Sequence, residues 1–340
     1  MTKKSTFEKI LLAHGSGGVL SRQLINEEIQ SRFNNAWLNP LNDCAVFSIK
    51  EHRFAFTTDS FVVKPIFFRG GDIGKLAVCG TVNDLAMAGS KPLYISCSLI
   101  LEEGFSMLDL AKILTSMQRS AEEIGVFIAT GDTKVVERKA VDEIFINTSG
   151  IGLIENGIQI SSHHAKPGDI VIINGAIGNH GISVLSQREG IQFQTPIESD
   201  VASLSDLVLG LFNITKDIHC LRDPTRGGLA TALNEIAISS KVGIRVFEDK
   251  IPIHDSVQGA CDMLGLDPLH VANEGKVIII CPKKYQNAIL EYLHSHPLGK
   301  DSCIIGEIVE NPIETVLLKT TIGGERIVDI PYGEDLPRIC

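Results

Sequence analysis

Asp43, Asp59, Asp84 and Asp132 come from four separate segments, three of them at the ends of apolar stretches. Carboxylates delivered by several elements are how a protein holds Mg²⁺, which leaves its other positions to phosphate oxygens. Lys134 follows in Gly131-Asp132-Thr133-Lys134, a cation suited to charge on a transferring phosphoryl group. Arg222-Asp223-Pro224-Thr225-Arg226-Gly227-Gly228 sets two arginines, a hydroxyl and two glycines before a helix, a composition that suits phosphate. His14-Gly15-Ser16-Gly17-Gly18 is a second stretch where backbone N–H groups can approach an anion. Glu274, just before an apolar strand, is a candidate acid or base. There is no P-loop GxxxxGK[ST], and Gly175, Gly178 and Gly181 do not make the dinucleotide fingerprint. The chain ends in Pro337-Arg338-Ile339-Cys340. No element lies beyond that thiol to hold it, so it is expected to be exposed and mobile, with Arg338 or a partner's site as its activator.

The elements that must position these groups are legible. Asp72 is a natural N-cap, Gly89 a helix stop, and the run between them is apolar nearly all round except at Asn83-Asp84. That helix must be buried, and its carboxylate needs a cation or donors. Ser106 to Ile124 reads as an amphipathic helix, as does Ser21 to Phe33. Strands are expected at Arg53–Ser60, at Val126–Thr130 as a buried strand running into Gly131-Asp132, at Val141–Ile154, at Asp169–Asn174 and at Lys276–Cys281. A turn-rich break at Ala165-Lys166-Pro167-Gly168-Asp169 marks a domain boundary. Strands and helices mix without strict alternation, which implies α+β. The strands Arg53–Val63 and Val141–Ile154 carry more apolar surface than one small domain covers, so a homodimer through the N-terminal half is expected. The prolines and glycine of Ile330 to Pro337 predict an extended, semi-rigid tether, giving a tail from Glu325 a reach of roughly 50 Å.

At 340 residues the chain suits two domains. Its formal charge of −10 argues against nucleic acid and anionic membrane as partners. Eight scattered cysteines form no CxxC pair, and no apolar run is long enough to span a bilayer. These features imply a cytoplasmic, reduced protein without a zinc site or signal peptide.

The segments His14 to Gly18, Thr58-Asp59-Ser60, Gly71 to Leu76, Thr81-Val82-Asn83-Asp84-Leu85-Ala86, Gly131 to Lys134 and the Pro-Arg-Ile-Cys end together resemble the HypE family of hydrogenase maturation proteins. That family lies in the superfamily of aminoimidazole ribonucleotide synthetase, selenophosphate synthetase and thiamine-monophosphate kinase. The likeness covers essentially the whole chain, and the terminal four residues are its family-specific part. It implies a two-domain aminoimidazole ribonucleotide synthetase-like α+β fold. Residues 1–160 would bind ATP and dimerise through a shared β-barrel, 165–322 would form an α+β domain, and 323–340 a flexible tail. It also implies that Cys340 receives a carbamoyl group from HypF and is dehydrated with ATP to a thiocyanate. The cyano group would then pass to iron on the HypC–HypD complex. The resemblance assigns Mg²⁺ to Asp43, Asp59, Asp84 and Asp132, and ATP to these with Gly17, Gly18, Asn83, Thr133, Lys134 and Arg226. The base would be Asp84 or Glu274, with Glu274 alternatively positioning the carbamoyl nitrogen. Asn42 stands where superfamily members often carry a second aspartate. Two rivals remain: another ATP-using superfamily member, or a non-catalytic carrier displaying Cys340.

Overall fold

The computed structural model describes residues 9–191, 196–333 and 338–340. The N-terminal half is built on a five-stranded sheet. Its order is Ala45–Ile49, His52–Phe61, Ile144–Ile154, Ser90–Glu102, Phe127–Val136, antiparallel except for the last pair. Along Ile144–Ile154 buried and half-buried residues alternate, the signature of a sheet with one covered face. The covering helices are Ile73–Met87 and Met107–Ile124. The other face leaves Phe56, Tyr94, Ile100 and Phe127 exposed.

Helix Ile73–Met87 forms as the sequence reading anticipates. The Asp72 carboxylate accepts from the N–H groups of Gly74 and Lys75 at 2.7 and 3.2 Å, satisfying two donors no helical carbonyl reaches. Leu76, Val78, Val82 and Leu85 are all fully buried, each contributing roughly 1.5–3 kcal/mol of apolar burial. They pack because the helix lies between two cores. One side joins the N-terminal cluster, while Ala86 and Met87 join the core of the second domain. The expected helix at Ser21 to Phe33 is present in shifted form, an α segment Val19–Leu24 running into a π segment Ile25–Gln30.

The C-terminal half holds a seven-stranded mixed sheet. Its order is Glu325–Ile327, Thr315–Lys319, Gly243–Phe247, Cys303–Val309, Asp169–Ile173, Ile278–Pro282, Cys220–Arg222. Asp169–Ile173 is buried along its whole length because helices cover both faces. Gly228–Ser240 packs on one face, and Ser205–Leu211 with Gln286–Ser295 on the other. No helix among the described residues is long and apolar enough to cross a membrane.

Two expectations change here. Val126 to Thr130 is not a buried strand. Phe127–Val136 is the sheet's outer edge and is exposed along nearly its whole length, because nothing among the described residues covers it. The tail does not begin at 323 either, since Glu325–Ile327 pairs with Thr315–Lys319. Residues 334–337, part of the expected tether, lie outside the described residues.

Candidate active site

Three elements bring carboxylates together between the domains. Asp43 precedes the first strand, Asp84 stands near the end of the central helix, and Asp223 follows strand Cys220–Arg222. One oxygen from each lies within 4.8 Å of the others. Thr57 secures the pair from the sheet: its hydroxyl is 2.7 Å from Asp84 Oδ2 and 3.0 Å from the Asp43 carbonyl. Arg222 Nη1 lies 3.1 Å from Asp43 Oδ1 and also pairs with Glu235, so this guanidinium is committed to holding the wall.

One arginine does not offset this crowding. Burial pushes the Asp43 carboxyl up to about 7 and Asp223 to about 6, with Arg222 pulling both back. Asp84 rises well above the carboxylate range through burial, then through the charges of Asp223, Asp59 and Asp43. Asp59 is raised by burial and lowered by Arg226. Asp43, Asp59, Asp84, Asp223 and Glu274 line one cavity of about 380 Å³.

Cys340 lines the same cavity. At rest the thiol is half-buried, where an exposed one was expected. The last residues turn inward, and Ile339 is buried in the N-terminal core at 4% exposure. Burial pushes the thiol up to about 12, and Arg226 is the cation opposing that shift. Arg338, the expected activator, instead reaches Asp142 at 2.5 Å and the Val62 carbonyl at 2.9 Å. A second chamber of about 170 Å³ lies on the other side of the thiol, lined by Ser16, Ser60, Arg226 and His270, so Cys340 sits in the wall between two spaces. Glu274 is 4% exposed, with Oε1 unpartnered, and its carboxyl is raised well above its usual range by burial and by Asp223, Asp59 and Asp200.

Several nominated residues do other work. Asn83 is 1% exposed and spends its amide between the domains, donating to the Ala202 and Glu274 carbonyls and accepting from Leu204 N–H. Both amide hydrogens and one acceptor direction are used there, so Asn83 ties the two domains together. Asn42 likewise bonds Ser161 and Ser162 in the connection between the sheets. Gly18 faces the tail: a Cβ there would lie 2.4 Å from the Pro331 carbonyl, which also accepts from Val19 N–H at 3.0 Å. Gly17 does line the cavity, against Arg226. Asp132, Thr133 and Lys134 are not brought to the cluster within one protomer. They lie on the exposed edge strand, where Asp132 pairs with Lys134 at 2.7 Å. Three strand spacings separate that edge from Asp59, roughly 14 Å along the sheet. Asp223 is the member of the carboxylate cluster that the sequence does not single out. It directly follows strand Cys220–Arg222, a signal masked by the Asp-Pro turn and the arginines around it.

An acidic, nucleotide-sized cavity between a half-covered sheet domain and an α+β domain defines a class. Residues 41–154 match the AIR synthase related protein N-terminal domain, and residues 166–319 its C-terminal domain. The carbamoyl dehydratase HypE of Azotobacter vinelandii is 48% identical over 329 residues, 97% of this chain and 96% of the relative. A crystal structure of a HypE–HypF complex superposes with a TM-score of 0.87 at 51% identity, covering 91% of this chain and 99% of that one. A crystal structure of HypE in complex with ATP gives 0.83 at 47% identity, with 98% and 100% covered. The chain belongs to the HypE family of carbamoyl dehydratases, hydrogenase maturation proteins of the AIR synthase related class.

Proposed function

We propose that this protein uses ATP to dehydrate an S-carboxamide on Cys340 to a thiocyanate, the source of cyanide ligands for the iron of [NiFe]-hydrogenase. One observation carries the reading: the terminal thiol stands in the same cavity as Asp43, Asp84 and Asp223. A carrier that only displayed its thiol would have no use for a buried, undercompensated carboxylate cluster beside it.

An amide oxygen is a poor leaving group. Phosphorylating it makes it a good one. In the proposed sequence the carboxamide oxygen takes the γ-phosphoryl group as one nitrogen proton is lost and C=N forms. The second nitrogen proton is lost as C–O breaks and phosphate departs, leaving S–C≡N. Glu274 is our choice of base. Its buried position gives the ionised carboxylate high proton affinity, and its free oxygen has no competing partner. Asp84 is better suited to metal, being crowded by three other carboxylates.

The donor set fits Mg²⁺: three hard oxygens within 4.8 Å of one another, with no thiol or imidazole among them. Asp43, Asp84 and Asp223 would hold it, with Asp59 at the same wall, and the ion would neutralise charge on the nucleotide's phosphates. Arg226, between the thiol and the Asp59 carboxylate, would orient the carboxamide or a phosphate.

Homodimerisation rests on the uncovered sheet face and its exposed edge strand. A second copy meeting that face would cover Tyr94 and Phe127 and could bring Asp132, Thr133 and Lys134 toward a site. HypF is the proposed carbamoyl donor and the HypC–HypD complex the proposed cyanide acceptor, in the cytoplasm. The test is mass spectrometry of the C-terminal peptide after incubation with HypF, carbamoyl phosphate and ATP. The wild-type peptide should gain a carbamoyl group, then lose one water when ATP is present. Cys340→Ala and Cys340→Ser should deliver no cyano group. Modification at Cys44, Cys79 or another internal cysteine would refute the tail-centred reading.

A further inference from the structure

The last three residues are gripped from both domains. From the N-terminal side, Val62 N–H donates to the Cys340 carbonyl and Lys64 N–H to the Arg338 carbonyl, each at 3.1 Å. The Arg338 guanidinium lies 5.6 Å from the Phe145 ring centre, beyond its bonds to Val62 and Asp142. From the C-terminal side, His180 Nε2 lies 2.8 Å from the Ile339 carbonyl.

His180 is fully buried in the first turn of helix Asn179–Arg188. A carbonyl oxygen only accepts, so Nε2 must carry the hydrogen. Nδ1 is then the acceptor, and the Ser199 hydroxyl, 2.7 Å away, is its donor. Ser199 is fixed in turn: its N–H donates to the Arg69 carbonyl at 2.8 Å, and its Oγ accepts from Val201 N–H at 3.1 Å. Phe68 packs edge-on against the imidazole, ring centres 5.4 Å apart. Ring orientation is therefore held by Ser199 and Phe68, neighbours outside the tail, and the Nε2–H points at the residue before the thiol. Burial lowers the imidazole's proton affinity and keeps it neutral.

We infer that His180 is a positioning residue for the dehydration step, fixing Cys340 beside Arg226 and Glu274 by holding the carbonyl of Ile339. Its role in that step rests on the reading of Cys340 as the reacting group, while the docking itself does not. The bond also links the docked tail to the C-terminal domain, whose Asp223, Arg226 and Glu274 complete the cavity.

The experiment measures iodoacetamide alkylation of Cys340 in the full-length protein at pH 8, followed on the C-terminal peptide. In the docked state the thiol is partly buried and strongly protonated, so labelling passes through the undocked tail. His180→Ala should label roughly tenfold faster than wild type, with ATP affinity unchanged. His180→Gln keeps an N–H near the position of Nε2 and should return to within about threefold of wild type, whereas the shorter His180→Asn should not. Ser199→Ala, which frees the ring orientation but spares the imidazole, should give an intermediate rate. Single-turnover dehydration of preloaded protein should fall in the same order, while loading by the carbamoyl donor does not fall. Equal labelling of wild type and His180→Ala overturns the inference. So does faster labelling with an unchanged dehydration rate, because His180 would then dock the tail without positioning the thiol. If wild-type Cys340 is never carbamoylated, the functional reading fails instead, and the labelling series still reports whether His180 holds the tail.

Discussion

Asp84 and Asp132 look alike in sequence, each a carboxylate delivered by an apolar element, and the structure gives them opposite surroundings. Asp84 is recessed among Asp43, Asp59 and Asp223, and its proton affinity is raised. Asp132 is on an exposed edge strand, hydrogen-bonded to Lys134 and to Thr133 N–H, and its proton affinity is lowered. The first carboxylate is electrostatically incomplete without a cation. The second is already paired, and its burial can come only from another molecule. Carboxylates crowded without compensation point to a ligand site, whereas carboxylates paired on an open edge point to an interface.

The contrast can be broken most sharply at Asp84. Asp84→Asn removes charge and keeps volume, so nucleotide turnover should fall at least about a hundredfold, while relieved repulsion leaves the fold intact. Wild-type phosphate release by that variant would remove Asp84 from the site. A smaller effect tests whether the edge strand belongs to a site made by two copies. Asp132→Ala and Asp84→Asn, each inactive alone, should recover roughly a quarter of wild-type turnover when mixed in equal amounts and allowed to exchange. Half the dimers would then be mixed, each with one intact composite site. No recovery, with mixed dimers verified by native mass spectrometry, would place Asp132 outside the site.

A third test uses pH. Asp43 and Asp223 bind protons more tightly folded, near 7 and 6, than in an unfolded chain, near 4. The metal-free fold therefore carries more protons than the unfolded chain between about pH 4 and 7. These groups make it less stable as pH rises through that window. Mg²⁺ should offset the loss, so its stabilisation of the melting temperature should be a few degrees larger at pH 7.5 than at pH 5.5. Equal shifts at both values would mean that the cluster does not bind the ion. The smallest effect is expected at the edge: Asp132→Ala should move the melting temperature by about a degree or less, since its ion pair is solvent-exposed. A drop of several degrees would contradict the surroundings described for that strand.

Much of the scaffold was legible because local chemistry dictates it. Asp72 caps a helix whose all-round apolarity demands burial, and Asn83-Asp84 stands out as its polar exception. Asp59 and Asp43 announced themselves at element ends. Asp223 was hidden because its neighbours Arg222, Pro224 and Arg226 each suggest a different role, and only the fold shows that Arg222 is turned to Asp43 and Glu235. The interdomain role of Asn83 was not legible, because its three hydrogen-bond partners lie more than a hundred residues away in the chain.

The residue types alone indicated a two-domain α+β chain with carboxylates of a kind suited to metal and phosphate, and a cysteine at its last position, because capping, periodicity and donor type are properties of short stretches. Where the thiol rests was decided by contacts between residues far apart in the chain. Ile339 fits a core assembled from both domains, its carbonyl meets His180 across 159 positions, and Arg338 meets Asp142 across 196. A terminal tripeptide has no periodicity to announce such partners. Only the closed tertiary structure creates the pocket that turns the tail inward and sets Cys340 against Arg226.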